Sequence, residues 1–189
     1  MLLLIVGLVL FLGIHSVAIV APNWRAATMA KMGERRWKGL YALLALLGLV
    51  LIIVGYGMAR QEPVLLYSPP AFMRHLVALL MLPVFPLLLA AYLPGKIQTK
   101  LKHPMLVAVK TWALAHLLVN GMLADVLLFG SILAWAVVDR ISLKRRPPKK
   151  IPSLPASRAN DVIAVVAGLI IYVLFVLWGH EWLIGVRPV

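Results

Sequence analysis

Residues 2–21 read LLLIVGLVLFLGIHSVAIVA and contain no Asp, Glu, Lys or Arg. A helix of about 20 apolar residues is long enough to cross the roughly 30 Å hydrocarbon core of a bilayer. Similar segments recur along the 189 residues, of which 63% are hydrophobic and 13% are charged. Soluble domains carry about twice that charged fraction. The sequence therefore predicts an integral membrane protein and excludes a soluble enzyme, a disordered protein and a secreted disulfide scaffold.

Six segments are predicted to cross the membrane, so the expected fold class is all-α, a polytopic bundle of about six transmembrane helices. The first is expected to be retained, because it is longer than the apolar region of a signal peptide and no basic region precedes it. Pro83 and Pro86 predict a kink in the third. The expected spans are residues 2–21, 39–59, 71–93, 104–119, 123–141 and 162–184.

Polar residues mark the ends of two of these spans. Asn120–Gly121 indicates a tight turn between the fourth and fifth spans, and Asp125 is expected to bond that turn. Asn160 and Asp161 precede the last apolar segment and are predicted to cap its first turn.

Positive charge is concentrated in alternate loops. The chain has 19 Lys and Arg against 6 Asp and Glu, and basic clusters follow the first, third and fifth spans. Loops rich in Lys and Arg stay in the cytoplasm, so we expect a bacterial inner-membrane protein with both termini on the periplasmic side. Between apolar segments this charge indicates contact with anionic lipid, and no nucleic-acid partner is expected. Residues 1–189 are interpreted as a single transmembrane domain.

Two histidines lie inside predicted spans, His15 in the first and His116 in the fourth. Ionisable side chains are costly within a membrane, so both are functional candidates. A histidine that bonds a neighbouring helix explains either one alone, whereas a pair on separate helices also suits the two axial positions of one metal. By helix rise they lie about 9 Å and about 18 Å from the cytoplasmic ends of their spans. This difference in depth is compatible with two tilted helices that flank a large, flat macrocyclic ligand.

The available ligands narrow the choice of metal. The chain has no cysteine, which excludes disulfides, iron–sulfur clusters and thiolate zinc sites. No acidic cluster lies near His15 or His116, so a carboxylate di-iron site is not expected. Haem needs only one or two axial ligands and an apolar pocket. Gly48, Gly55 and Gly57 allow either the close approach of a flat ligand or ordinary helix packing.

Several residues lie near the expected membrane surfaces. Those suited to hold the propionate groups of a haem are Trp24, Arg25, Lys102 and Arg140. The remaining histidines lie near span ends, as interfacial histidines do, and whether any joins a second site is open; they are His75, His103 and His180. No nucleophile, base and orienting group occur together, so no catalytic residue is assigned.

Two stretches resemble a known family. Residues 101–140, LKHPMLVAVKTWALAHLLVNGMLADVLLFGSILAWAVVDR, resemble the signature of the NnrU family, and residues 13–25, GIHSVAIVAPNWR, resemble its first helix. The resemblance extends over nearly the whole chain. It implies a membrane protein associated with nitrite and nitric oxide reduction in denitrifying bacteria, with His15 and His116 as metal ligands of haem b.

The zeta-carotene isomerases belong to the same superfamily, bind haem b and isomerise a cis double bond of a carotenoid. They have a cysteine shortly before the second histidine, where this chain reads Thr111–Leu114 and has no thiol that could exchange onto the iron. The leading hypothesis is a haem b protein supporting nitrogen-oxide or related redox metabolism. The alternatives are a haem-dependent isomerase of a polyene lipid and a cofactor-free assembly factor, so whether the chain is an enzyme stays open. Expected partners are lipid and an apolar polyene or a small gaseous ligand, with a second copy of the chain or a redox protein left open.

Overall fold

The structure is a computed structural model that describes residues 1–146 and 153–188. Within these ranges it contains helices and no β-strand, which confirms the predicted all-α class. A π-helical turn, Phe175–Gly179, joins the last two helices. The helices are α1 (Leu2–Val20), α2 (Pro22–Met32), α3 (Glu34–Ala59), α4 (Met73–Met81), α5 (Val84–Ala90), α6 (Lys96–Leu101), α7 (Pro104–Val119), α8 (Leu123–Ser142), α9 (Ala159–Leu174) and α10 (His180–Ile184).

Four helical segments are long and apolar enough to cross a membrane. The helix α7 is also apolar but has 16 residues. The 20-residue α8 has Asp125 in its first turn and Arg140 in its last turn. This is the composition of a membrane protein, while the count of six crossings and their orientation stay predictions. The four segments are Leu2–Val20, Glu34–Ala59, Met73–Ala90 and Ala159–Ile184.

Two helices lie where the sequence predicted only loops. The helix α2 follows α1 directly and has proline at its start, a position that needs no backbone N–H donor. The short α6 precedes α7. Basic, polar composition led to the prediction of loops at both places, because hydropathy detects spans and not surface helices.

The chain divides into two compact units. The first unit comprises Met1–Tyr67 and Met122–Ser142, and the second comprises Ser68–Gly121 and Leu143–Val189. The first unit therefore contains α1, α2, α3 and α8, and the second contains α4 to α7, α9 and α10. The single domain over residues 1–189 stays a prediction.

In the first unit, α1 packs closely on α3 through glycines. A Cβ added at Gly48 would lie 2.8 Å from the Phe11 nitrogen, and one added at Gly55 would meet the backbone of Leu4. Small residues at such contacts let helix backbones approach each other in a membrane. Of the two roles considered for these glycines, the structure assigns helix packing to Gly48 and Gly55, whereas Gly57 faces open space.

A buried carboxylate joins the end of α3 to the start of α8. Asp125, 4% exposed, accepts a hydrogen bond from the Tyr56 hydroxyl at 2.5 Å and one from the Met122 backbone N–H at 3.0 Å. The backbone donor lies two residues beyond Asn120, at the end of the predicted turn. Burial and the Asp125 carboxylate raise the pKa of Tyr67, in the loop after α3.

In the second unit, the predicted kink is confirmed by the break between α4 and α5 at Leu82 and Pro83. The Leu82 N–H donates to the Leu79 carbonyl at 3.3 Å, so the Ala78 carbonyl lacks its usual donor four residues later. The Tyr172 hydroxyl of α9 donates to that carbonyl at 2.8 Å. A side chain from a neighbouring helix thus satisfies a backbone group that the kink exposes.

The prediction that Asn160 and Asp161 cap the last span is wrong. The helix α9 begins at Ala159 and has no side-chain cap. Asp161 instead accepts hydrogen bonds from the backbone N–H groups of Lys96 and Ile97, at 2.8 and 3.0 Å, and so caps α6. Because α9 starts three residues before the expected position 162, Asp161 lies within its first turn and its side chain reaches a neighbouring helix.

Asn160 is buried and bonds two other parts of the second unit. Its Nδ2 donates to the carbonyls of Pro94 and Pro155, at 2.9 and 3.0 Å. The Leu154 N–H donates to the Tyr92 carbonyl at 3.1 Å. These bonds hold the segment before α9 against the turn before α6.

The variant Gly55→Ala is expected to unfold at a lower temperature, because the added Cβ meets the backbone of Leu4. Overpacking costs about 1–3 kcal/mol, which lowers the midpoint by several degrees. The control Gly57→Ala lies on the same helix, and within residues 1–146 and 153–188 no atom lies within 4 Å of the added Cβ. It should unfold at the wild-type temperature or above it, since alanine favours helix. Tryptophan fluorescence during heating in detergent measures both; an equal loss would contradict the packing role of Gly55.

The variant Asp161→Ala is expected to be less stable, because two N–H groups at the start of α6 lose their acceptor. Loss of a helix cap costs about 1 kcal/mol, so the unfolding midpoint should fall by a few degrees in the same assay. The control is Glu34→Ala, which removes the exposed 2.7 Å ion pair with Lys38. Exposed ion pairs contribute little, so its midpoint should barely change. Wild-type stability of Asp161→Ala would refute the capping role.

Candidate functional site

His15 lies half-buried on α1 in the first unit. Its Nδ1 lies 2.6 Å from the carbonyl oxygen of Phe11, four residues earlier on the same helix. Since a carbonyl only accepts, Nδ1 carries the proton and donates it, which leaves the lone pair on Nε2. Among the described residues Nε2 has no hydrogen-bond partner. The ring is thus held in the tautomer that presents a basic nitrogen to a metal.

Aromatic rings from three helices surround His15. The Phe11 ring lies at a centroid distance of 4.3 Å, the Tyr41 ring at 5.3 Å and the Trp135 ring at 5.8 Å. Tyr41 and Trp135 meet the imidazole edge-on, with interplanar angles of 64° and 86°. The Trp135 Nε1 is buried and has no hydrogen-bond partner in the described part of the chain. The surroundings of His15 are therefore aromatic, with one unused N–H donor.

His116 lies half-buried on α7 in the second unit and repeats the local arrangement of His15. Its Nδ1 lies 2.9 Å from the carbonyl oxygen of Trp112, again four residues earlier. The Trp112 ring is tilted by 51° against the imidazole at a centroid distance of 5.1 Å. The sequence leaves two kinds of partner open for the second ring nitrogen, a carbonyl one turn back on the same helix or a polar side chain such as Asn120. The structure shows the carbonyl as the partner of Nδ1 in both histidines.

The two histidines belong to different units, so their predicted pairing on one iron stays a prediction. Within residues 1–146 and 153–188, no three His, Cys, Asp or Glu side chains are grouped so that they could hold a metal ion. Ligation of haem by one or two imidazoles does not require such a group.

The predicted propionate-binding residues are distributed over both units. Trp24 lies on α2, 57% exposed, and meets the buried Trp37 ring edge-on at 5.9 Å. Arg25 on α2 and Arg140 on α8 are half-buried in the same unit as His15. Lys102 is exposed in the second unit and ends α6 with a φ of 62°. Binding of propionates by these residues stays a prediction.

A protein-family profile described as "NnrU protein" matches residues 3–188. The chain belongs to the NnrU family. The match confirms the resemblance and extends over both units and every helix. Comparisons with curated proteins and with solved structures gave no match.

The other histidines of this NnrU chain lie near helix ends. His103 is the residue before α7, and the exposed His75 is in the first turn of α4. His180 begins α10, and its Nδ1 lies 2.7 Å from the Val186 carbonyl oxygen. Its ring meets Phe175 edge-on at 5.6 Å. The predicted position near helix ends is confirmed for all three, and a second site stays open.

Tyr41 and Trp135 are site residues of the NnrU chain that the sequence analysis missed. Trp135 lies five residues before Arg140, which places it about 8 Å from the expected cytoplasmic end of its helix. That depth is close to the depth expected for His15. Depth alone could have selected Trp135, but which side chains turn toward His15 depends on the rotation of α3 and α8.

Proposed function

We propose that this NnrU protein binds haem b through His15 and His116 and supports nitrite, nitric oxide or related redox metabolism. One observation carries the proposal, the geometry that both histidines share. In each, an aromatic residue four positions earlier accepts the Nδ1 proton with its carbonyl and places its ring against the imidazole. Metal-binding histidines are oriented by a hydrogen bond of this kind from their second nitrogen.

The donor groups suit haem b. A neutral imidazole whose Nδ1–H is donated has a more basic Nε2, and the bond also fixes the direction of the ring. The Trp135 ring packs against His15, and its unused N–H offers a donor to a carboxylate. Trp24, Arg25, Lys102 and Arg140 are the residues proposed to hold the propionates. When bound, haem would supply an iron that changes between ferric and ferrous states, and a small gaseous ligand would bind it only after one histidine is released.

The residues of the chain give this site its environment. Phe11, Tyr41 and Trp135 shield part of the half-buried His15 imidazole from water, and low polarity strengthens electrostatic interactions there. The His116 ring has one aromatic neighbour among the contacts given above, Trp112. The surroundings of haem set its potential, so Trp135 and Tyr41 are the side chains through which the chain adjusts it.

A second candidate function is the cis–trans isomerisation of a carotenoid or another polyene lipid. A specific observation favours it, an apolar groove of about 520 Å³ between α1 and α3. The groove is lined by Gly13 and Ile14, next to His15 in the chain, and by Leu44 of α3. An apolar chain fits such a groove, but the chain has no cysteine, so exchange of a thiolate onto the iron is excluded. A cofactor-free assembly factor is the third possibility.

Purified protein from cells supplied with a haem precursor is expected to show a low-spin, six-coordinate haem b spectrum in both oxidation states. His15→Ala and His116→Ala should each give a high-spin spectrum or lose haem, because one axial bond and its orientation disappear. His103→Ala is the matched control. It lies 13 residues from His116, about 20 Å along a helix, and should keep the wild-type spectrum. Absorbance spectra with a haem-to-protein ratio measure these outcomes.

Other results select the alternatives. A colourless wild-type protein with silent histidine variants indicates the assembly factor. A changed chain geometry of an added polyene, detected by chromatography and lost in His15→Ala, indicates the isomerase. If His103→Ala loses haem while His116→Ala keeps a low-spin spectrum, the ligand assignment is wrong.

We also propose an inner-membrane location with both termini in the periplasm, supported by the basic loops. Alkaline phosphatase fused after Val189 is expected to be active, because it folds only outside the cytoplasm. A fluorescent protein that matures only in the cytoplasm should be dark at that position and bright when fused after Lys144, the matched control. Fluorescence after Val189 together with inactive phosphatase would reverse this topology.

A further inference from the structure

A cavity of about 930 Å³ lies in the second unit, between α6 and the segment that leads into α9. Three cationic side chains line it, Lys96 and Lys100 from α6 and Arg158 from the residue before α9. Lys96 and Lys100 are four residues apart and share one face of α6. Two separate parts of the chain thus bring positive charge to one cavity.

These cations have no counter-ion in the described chain. All three residues are exposed, and within residues 1–146 and 153–188 no carboxylate forms an ion pair with any of them. The one acidic residue in the lining, Asp161, uses both oxygens to accept the Lys96 and Ile97 backbone N–H groups. Three cations therefore face a single carboxylate, and the cavity favours an anion.

Hydrogen bonds within the second unit hold the two walls of the cavity together. Asp161 connects α9 to the start of α6. Asn160 connects α9 to Pro94, which lines the cavity beside Gly95. These bonds hold together the backbone segments that carry the three cations.

An apolar surface begins directly beside the cations. The helix α9 starts at the residue after Arg158 and exposes Val162 at 63%, Ile163 at 49% and Val166 at 52% within its first two turns. Tyr92, whose carbonyl holds the segment before α9, is 47% exposed. Tyrosine is enriched where the headgroup region meets the hydrocarbon. The cationic cavity and the apolar face are therefore adjacent, like the phosphate and the acyl chains of a phospholipid.

We propose that this cavity binds the phosphate headgroup of an anionic phospholipid, with acyl chains along the exposed face of α9. Lys96, Lys100 and Arg158 bind the phosphate, and Val162, Ile163 and Val166 contact the acyl chains. A free phosphate has the same chemistry as the headgroup but has no acyl chains to contact the apolar face of α9. The cavity and this face together therefore fit a phospholipid. The site does not depend on haem.

The test uses the full-length protein in an uncharged detergent, with lipid binding measured by native mass spectrometry. The probes are cardiolipin, phosphatidylglycerol and phosphatidylcholine; glycerol 3-phosphate and inorganic phosphate compete in separate series. The variant is Lys96→Gln/Lys100→Gln/Arg158→Gln. The matched control, Lys31→Gln/Arg35→Gln/Arg36→Gln, removes the same charge from exposed positions of the first unit.

The wild type should bind cardiolipin and phosphatidylglycerol more tightly than phosphatidylcholine. Each cation near a membrane surface raises the affinity for anionic lipid about fivefold. The affinity of the cavity variant for the anionic lipids should therefore fall at least about tenfold. The control variant should lose less than about twofold. Circular dichroism establishes that both are folded; if the cavity variant is not, the single variants Lys100→Gln and Arg158→Gln should each lose about fivefold.

Three results would overturn the proposal. Equal losses in the cavity and control variants would show attraction by net charge alone. Equal binding of phosphatidylcholine would show that the headgroup charge is irrelevant. Displacement of cardiolipin by glycerol 3-phosphate or inorganic phosphate at matched concentration would show a site for a soluble phosphate.

Discussion

In the hydrocarbon core of a membrane no water is available to hydrogen-bond a polar group, so each group must find a partner in the chain. In the apolar helices, several polar side chains find their partner one turn earlier in the same helix. Ser16 donates to the Leu12 carbonyl at 2.7 Å, and His15 and His116 donate to carbonyls four residues earlier. A histidine bonded in this way needs no neighbouring helix for its first nitrogen. The bond also decides the tautomer, which leaves the lone pair on Nε2.

The same constraint explains the contacts of the second unit. Pro83, between α4 and α5, has no N–H to donate to the Leu79 carbonyl, and the Leu82 N–H donates there instead. Tyr172 of α9 donates to the Ala78 carbonyl that Leu82 would otherwise serve. Gly168, also on α9, lies so close to Pro86 that an added Cβ would be 2.6 Å from the Pro86 Cα. The hydroxyl and the close backbone approach act together, since Tyr172 reaches Ala78 only if α9 lies against the kink. The break at Pro83 therefore helps to fix where α9 packs.

Hydropathy predicted the apolar helices well because burial in lipid depends on composition along one segment. The fourth span was predicted at residues 104–119, and α7 is Pro104–Val119. For His15 and His116, a carbonyl one turn back was one of the two partners that the sequence left open. The role of Asp161 was not predicted, because a side chain in the first turn of a helix can bond its own helix or a neighbour. Tyr41 and Trp135 were missed for a related reason, since helix rotation is set by packing between helices.

In the described part of the first unit, Trp135 is the residue whose buried side-chain donor has no hydrogen-bond partner. Its indole N–H is buried without an acceptor, and a buried donor left unpaired is destabilising. Such groups are rare in native proteins and often coincide with functional sites. Trp135 lies edge-on to His15, the imidazole whose Nε2 carries the available lone pair. The ring that carries the unused donor and the ring that carries the available lone pair therefore pack against each other. The haem proposed for this chain has both kinds of group, an iron that accepts a lone pair and carboxylates that accept a hydrogen bond.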